Sequence, residues 1–156
     1  MLTIDIPDFG DLRLEHLVLD YNGTLACDGQ LLPQVLRTLR DLTPQLQVHV
    51  VTADTYGDAA RQLKDFPCQL QILQHVGQNE AKREYVRHLG GSNCVCIGNG
   101  RNDQMMLQEA ALGIAVMQVE GCAATCIVSA DVVVTDILTA LNLLLHPKRL
   151  LATLRS

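Results

Sequence analysis

Aromatic side chains are nearly absent from this chain of 156 residues, which has two Phe, three Tyr and no Trp. A core must therefore be filled by Leu, Val, Ile and Ala, as in the strands and helices of α/β proteins. Basic charge is also in short supply. A net charge of −5 leaves no electrostatic footprint for nucleic acid or an anionic membrane surface, so neither partner is expected. No apolar run approaches the roughly 18 residues needed to span a bilayer. The first residues, MLTIDIPDFGD, are acidic where a signal peptide would be basic. A cytoplasmic protein is expected, and with it reduced thiols.

The six cysteines contain no Cys-x-x-Cys pair, and no histidine lies at a zinc-finger spacing from them. Cys94 and Cys96 fall within an apolar strand, and Cys122 and Cys126 are four apart on an expected helix. Each pair then shares a face and reads as buried thiols rather than metal ligands. His16, His49, His75, His88 and His146 likewise show no ligand spacing.

With 48% hydrophobic and 19% charged residues, the chain can bury a core and reads as one domain over residues 1–156. Leu2 to Ile6 and Leu12 to Asp20 flank the turn Pro7-Asp8-Phe9-Gly10 and predict an N-terminal β-hairpin. Helical spacing from Pro33 to Leu42 is followed by a strand Gln47 to Thr52, a helix Thr55 to Lys64 and a strand Leu70 to Leu73. A helix Asn79 to Leu89, a strand Asn93 to Ile97, a helix Asp103 to Ala110 and a strand Gly113 to Met117 come next. The chain ends with a helix Glu120 to Ser129, a strand Asp131 to Val134 and helices Ile137 to Leu145 and Pro147 to Leu154. Such alternation predicts a mainly parallel sheet with helices on both faces, a three-layer Rossmann-like sandwich.

Ligands of open α/β sheets sit beyond the carboxyl ends of the strands. The residues that leave the core strands here are Asp20, Thr52 and the run Asn99-Gly100-Arg101-Asn102-Asp103, with Lys82 early in an intervening helix. A carboxylate, a hydroxyl, an ammonium and a second acidic loop suit phosphoryl transfer. Asp20 can attack phosphorus and split one hard hydrolysis into two easier steps. Thr52 and Lys82 can hold and neutralise the phosphoryl oxygens in flight. Magnesium prefers hard oxygens, which Asp20, the Asn22 carbonyl, Asn99 and Asp103 can supply together with waters. Gly23 and Thr24 fit a tight turn whose amides face the phosphate, and Ala53 and Asn102 complete the expected phosphate-binding set. Arg101 reads as an exposed loop residue and takes no role. Taken singly, these residues have plainer readings. Asp20 can close an Asx-turn, Thr52 can end a strand, Lys82 can face solvent, and Asn102 and Asp103 can cap a helix.

Taken in order, LDYNGTL, VVTADT, Lys82 in NEAKREYV, and CIGNGRNDQMML resemble the four motifs of the haloacid dehalogenase-like superfamily of phosphatases and phosphotransferases. The likeness covers nearly the whole chain. The C-terminal run from GIAVM to LTALNLLL also resembles the end of the phosphorylation domain of P-type ATPases. The resemblance implies a Rossmann-like core, a phosphatase reaction through Asp20 with Asn22, Thr52 and Lys82 as catalytic residues, and magnesium as cofactor. It also implies that Leu25 to Leu32 is a segment that moves over the active site.

Two positions depart from the pattern. The superfamily's phosphatases usually carry a second Asp, an acid/base, where this chain has Asn22, and P-type ATPases carry Thr there. The usual GDG of the fourth motif is Gly98-Asn99-Gly100, which exchanges a charged metal ligand for a neutral one. A slow phosphatase is expected. The alternative is a weakened regulatory or phosphate-binding module, or an interaction protein related to P-type ATPase phosphorylation domains. Only 31 residues separate Asp20 from Thr52 and 29 separate Thr52 from Lys82, which leaves no room for the superfamily's cap domains. An open site then takes a small or macromolecular phosphorylated substrate. The apolar hairpin, with its strand edges, makes a homo-oligomer the expected assembly.

Overall fold

A computed structural model describes residues 1–54 and 57–156. Strand β1 (Leu2–Ile6) pairs antiparallel with β2 (Gly10–Leu14), Ile4 opposite Leu12, as the expected hairpin. Its apolar side chains Leu2, Ile4, Ile6, Leu12 and Leu14 turn into the core, so its oily face is not a free surface. The strand expected to run unbroken from Leu12 to Asp20 divides at Glu15. There the backbone leaves β1 and joins other partners, with Glu15 N donating to Asn93 O at 2.8 Å and Glu15 O accepting from Gln47 N at 2.8 Å. Beyond that switch β3 (His16–Leu19) enters the central sheet.

After β3 come a two-residue hairpin, β4 (Ala26–Cys27) with β5 (Gln30–Leu31), then α1 (Val35–Leu42), β6 (Gln47–Thr52) and α2 (Asp58–Gln62). Asp28 and Gly29 join β4 to β5, both at positive φ, as a tight two-residue turn requires. The first two residues of the helix expected from Thr55 lie outside the described residues. β7 (Gln69–Ile72), α3 (Gln78–Leu89), β8 (Cys94–Gly98), α4 (Gln104–Glu109) and β9 (Leu112–Val116) follow. The chain closes with α5 (Ala124–Ser129), β10 (Val132–Val134), α6 (Ile137–Leu145) and α7 (Pro147–Leu154).

Helices α1 and α5 start later than their sequence pattern for reasons visible in the backbone. Gln34 takes a left-handed φ of 66°, so α1 begins at Val35 rather than Pro33. Helix α5 begins at Ala124 rather than near Glu120, because Ala123 N donates to Asn99 O at 2.8 Å and commits the preceding segment to a loop. Cys122 therefore precedes the helix that carries Cys126.

Six strands form one parallel sheet in the order β10-β9-β8-β3-β6-β7. β3 sits between β8 and β6, with Leu19 opposite both Ile97 and Val50. Its successive side chains enter opposite layers. Leu17 and Leu19 pack with the hairpin, α1, α6 and α7, whereas Val18 packs with Val86 of α3, Met106 and Leu107 of α4 and Cys126 of α5. Burial on both faces accounts for strands that are almost wholly apolar rather than alternating. This is the expected three-layer α/β sandwich, and it brings the C-terminal ends of β3, β6 and β8 side by side.

Candidate active site

Asp20 follows β3 and is 6% exposed. Lys82 reaches it from the second turn of α3, its Nζ 2.7 Å from Asp20 Oδ1 and 2.6 Å from Asp103 Oδ1. The second Asp103 oxygen accepts from the amides of Asn99 and Gly100, at 3.0 and 2.8 Å. A side chain at Gly98 would put its Cβ 2.5 Å from this carboxylate, so the strand must end in glycine there. Asp103 is thus fully buried behind Lys82 with both oxygens engaged. It anchors Lys82 and the loop.

Two carboxylates against one ammonium leave a net negative charge in a buried place. Burial, and then the nearby Asp103 charge, push the Asp20 carboxyl up to about 6 despite Lys82. Burial works against the Lys82 ammonium, but the Asp103 and Asp20 carboxylates outweigh it and hold its pKa above the usual lysine value.

In front of Asp20 lies a cavity of about 270 Å³. Of the residues expected to bind phosphate or metal, Asp20, Asn22, Thr52, Ala53, Asn99 and Asn102 line it. The Thr52 hydroxyl accepts from Asp54 N at 3.3 Å and keeps its own proton to donate. Gly23 and Thr24 do not line this cavity. Their amides are spent inside the turn, Gly23 N on Ala26 O at 2.8 Å and Thr24 N on Tyr21 O at 3.2 Å. Thr24 acts instead through its buried hydroxyl, 3.3 Å from Asp20 Oδ2 and 3.2 Å from Asn99 Oδ1. Gly23 has a φ of +80°, and a Cβ there would stand 2.3 Å from the Asn99 amide.

Sequence reasoning missed three contributors. His75, between β7 and α3, and Gln78, the first residue of α3, line the same cavity. Gln118, just past β9, donates from Nε2 to Gly23 O at 3.0 Å and to Thr24 O at 2.6 Å. Its Oε1 accepts from Ile137 N at 3.0 Å, so one amide clamps the Asp20 turn to the start of α6. Extending the strand-end rule to β7 and β9 would have found all three. Asn99 is held from the same side, its Nδ2 donating to Gly121 O at 3.1 Å.

The oxygen donors suit a hard cation. Asp20 Oδ2 is the carboxylate oxygen that Lys82 does not occupy, and Asn99 Oδ1 lies across the Thr24 hydroxyl from it. Among the described residues no cluster of three or more His, Cys, Asp or Glu forms a metal-binding group. A magnesium ion here would keep most of its waters. The cysteines are free thiols; Cys94, Cys96 and Cys126 are buried. Two histidines do meet. His16 Nδ1 and His49 Nε2 are 3.1 Å apart, and His49 Nδ1 is 2.9 Å from the Tyr85 hydroxyl on α3.

No family model matches the chain. An uncharacterised protein of Methanocaldococcus jannaschii is 51% identical to it over 86 residues, which span 55% of this chain and 83% of that protein. The chain belongs to the same family as that archaeal protein. The 3-deoxy-D-manno-octulosonate 8-phosphate phosphatase of Moraxella catarrhalis, solved with magnesium, phosphate and KDO, superposes with a TM-score of 0.71 at 21% identity. That match covers 91% of this chain and 94% of the other. The fold is the haloacid dehalogenase-like one. A zinc-transporting PIB-type ATPase in its E2.Pi state also matches, with a TM-score of 0.60 and 18% identity, over 79% of this chain but only 20% of the pump. Within the haloacid dehalogenase-like fold, only β4, β5 and α1 stand between Asp20 and β6 among the described residues, so no cap is inserted there. No helix among the described residues is long and apolar enough to cross a membrane.

Proposed function

We propose that the chain is a slow, magnesium-dependent phosphomonoester hydrolase that works through an aspartyl-phosphate on Asp20. The observation that carries this reading is the buried chain Asp103–Lys82–Asp20, whose Asp20 lines a small polar cavity. One Asp20 carboxylate oxygen attacks phosphorus, the bond to the leaving oxygen breaks, and water later cleaves the acyl phosphate. Lys82 holds Asp20 and offsets negative charge, while Thr52 and Asn102 orient the phosphoryl oxygens. Asp20, Asn99 and the Asn22 carbonyl would hold a magnesium ion, which when bound would supply the positive charge that lets two anions meet. Asn22 lines the cavity but cannot titrate, so the leaving group departs unprotonated and water is activated poorly.

The same substitutions favour one second reading, a module that accepts or holds phosphate without useful turnover, as the likeness to P-type ATPase phosphorylation domains would suit. In either case the partner is a phosphorylated compound, and the site is open enough for a small or a macromolecular one. A homo-oligomer would pair strand edges, since the hairpin's apolar side chains are buried. Hydrolysis of an aryl phosphate, with and without magnesium, in the native protein and in Asp20→Asn tests the leading reading. Magnesium-dependent turnover that disappears in Asp20→Asn supports it, and turnover that survives the substitution overturns it.

A further inference from the structure

The phosphate cavity continues outward. A second cleft of about 440 Å³ opens beside it, and the two share His75, Gln78 and Asn102. They therefore form one groove, with the hydrogen bond from Asn102 Nδ2 to Gln78 Oε1, 2.8 Å long, as the sill between them. A phosphoryl group seated against Asp20 would extend its ester substituent over that sill. The outer cleft adds two charged side chains, Arg101 and Glu80. Both are exposed, and among the described residues neither forms an ion pair or a side-chain hydrogen bond. On α3, Arg87 differs, since it is hydrogen-bonded to Glu84 and Glu109, whereas Arg83 only approaches Glu84 at 3.5 Å. Arg101 also stands between Gly100 and Asn102, which both line the inner cavity. Arg101 thus brings to the outer cleft a guanidinium that no carboxylate among the described residues pairs with, on the loop that also lines the inner cavity.

Resting on the phosphoryl-site reading above, we propose that the outer cleft is the leaving-group subsite and Arg101 its specificity-determining residue. The groove selects phosphomonoesters whose leaving group carries an anion of its own, a carboxylate or a second phosphate. A planar guanidinium matches either by paired N–H donors, which a lone ammonium cannot do. Glu80 sets the complementary limit. A hydroxyl or amino donor beside the anion gains an acceptor there, and a leaving group with several anions meets repulsion.

Non-hydrolysable phosphonates test this in the native protein, by calorimetry with magnesium present. Propylphosphonate is the neutral reference, phosphonopropionate adds a carboxylate, ethylenebisphosphonate adds a second phosphonate, and aminopropylphosphonate adds a cation. Phosphonopropionate or ethylenebisphosphonate should bind about tenfold or more tightly than propylphosphonate, and the stronger of the two identifies the anion. Arg101→Gln should erase the difference and Arg101→Lys recover part of it. Glu80→Gln should weaken aminopropylphosphonate relative to the reference. Equal binding of the carboxylate, bisphosphonate and neutral compounds overturns the subsite while leaving the phosphoryl site intact, as does a preference that survives Arg101→Gln. Failure of propylphosphonate and inorganic phosphate alike to bind overturns the phosphoryl-site reading, and the subsite with it.

Discussion

Lys82 stands 2.7 Å from Asp20 although the two are 62 residues apart in the chain, and its ammonium is wholly removed from solvent. Only the pairing of Lys82 with Asp20 and Asp103 makes that burial tolerable. Replacing it by methionine keeps most of the volume and strands two like charges. Breaking a buried ion pair from one side costs about 3–5 kcal/mol, and a loss of that size is expected for Lys82→Met in urea denaturation. A loss below about 1 kcal/mol would mean that the three groups are not coupled as the geometry indicates.

Asn22 lines the cavity where an acid/base would act. Positioned general acid–base catalysis contributes about 10²–10⁴-fold. Asn22→Asp should raise turnover of an alkyl phosphate, whose leaving group needs a proton, by at least the lower end of that range. The gain on an activated aryl phosphate should be smaller. Equal gains on both substrates, or none, would show that the amide is not what limits the rate.

His49 is fully buried between His16 and Tyr85, and burial, followed by the proximity of His16, pushes its pKa down to about 4. A folded-state value below the ordinary 6.5 means the unfolded chain takes up the proton first. Stability is then whole above pH 6.5 and is lost as pH falls toward 4, by up to about 1.4 kcal/mol per pH unit. Asp20 acts in the opposite sense between its ordinary 3.8 and about 6, because its folded pKa is raised. The readout is therefore the stability difference between the native protein and His49→Gln across that range. The native protein should lose ground as pH falls, and parallel curves would contradict the burial of a neutral ring.

Gln118 makes three hydrogen bonds that tie the Gly23–Thr24 turn to α6. Gln118→Met keeps the length of the side chain and leaves two carbonyls and an amide without that partner, at about 1–3 kcal/mol for each buried group stranded. Faster amide exchange at Gly23 to Ala26, with slower turnover at unchanged substrate affinity, is expected. The β4–β5 hairpin has a similar brace. Gln62 donates to Gly29 O at 2.6 Å and accepts from Leu31 N at 2.8 Å. Gln62→Ala should speed exchange in that hairpin alone, and unchanged exchange would show that the brace does not restrain it.

Much of this was legible in advance because each signal was local. Strand β6 and helices α6 and α7 have their expected bounds, and Asp20, Thr52 and Asn99, which the strand-end rule singled out, line one cavity. The division at Glu15 was not legible, since its partners Asn93 and Gln47 are remote in sequence and nothing in the apolar run marks the change. The anchoring contacts of Asp103 were hidden for a related reason. A carboxylate beside a glycine loop reads as a ligand, and only the fold reveals that its oxygens also meet Lys82 and two backbone amides. Gly23 and Thr24 have the composition of a phosphate-binding turn, but only the fold reveals that their amides close the turn on itself. Gln118 and His75 carry no motif and matter through position alone.

The most direct test of the proposed chemistry is to incubate the native protein with an aryl phosphate and magnesium, quench in acid, and map the peptides by mass spectrometry. Covalent phosphate on Asp20, absent from Asp20→Asn and slow to clear in the native protein relative to Asn22→Asp, is the expected result. Turnover without phosphate on Asp20, or phosphate on another residue, would contradict Asp20 as the nucleophile.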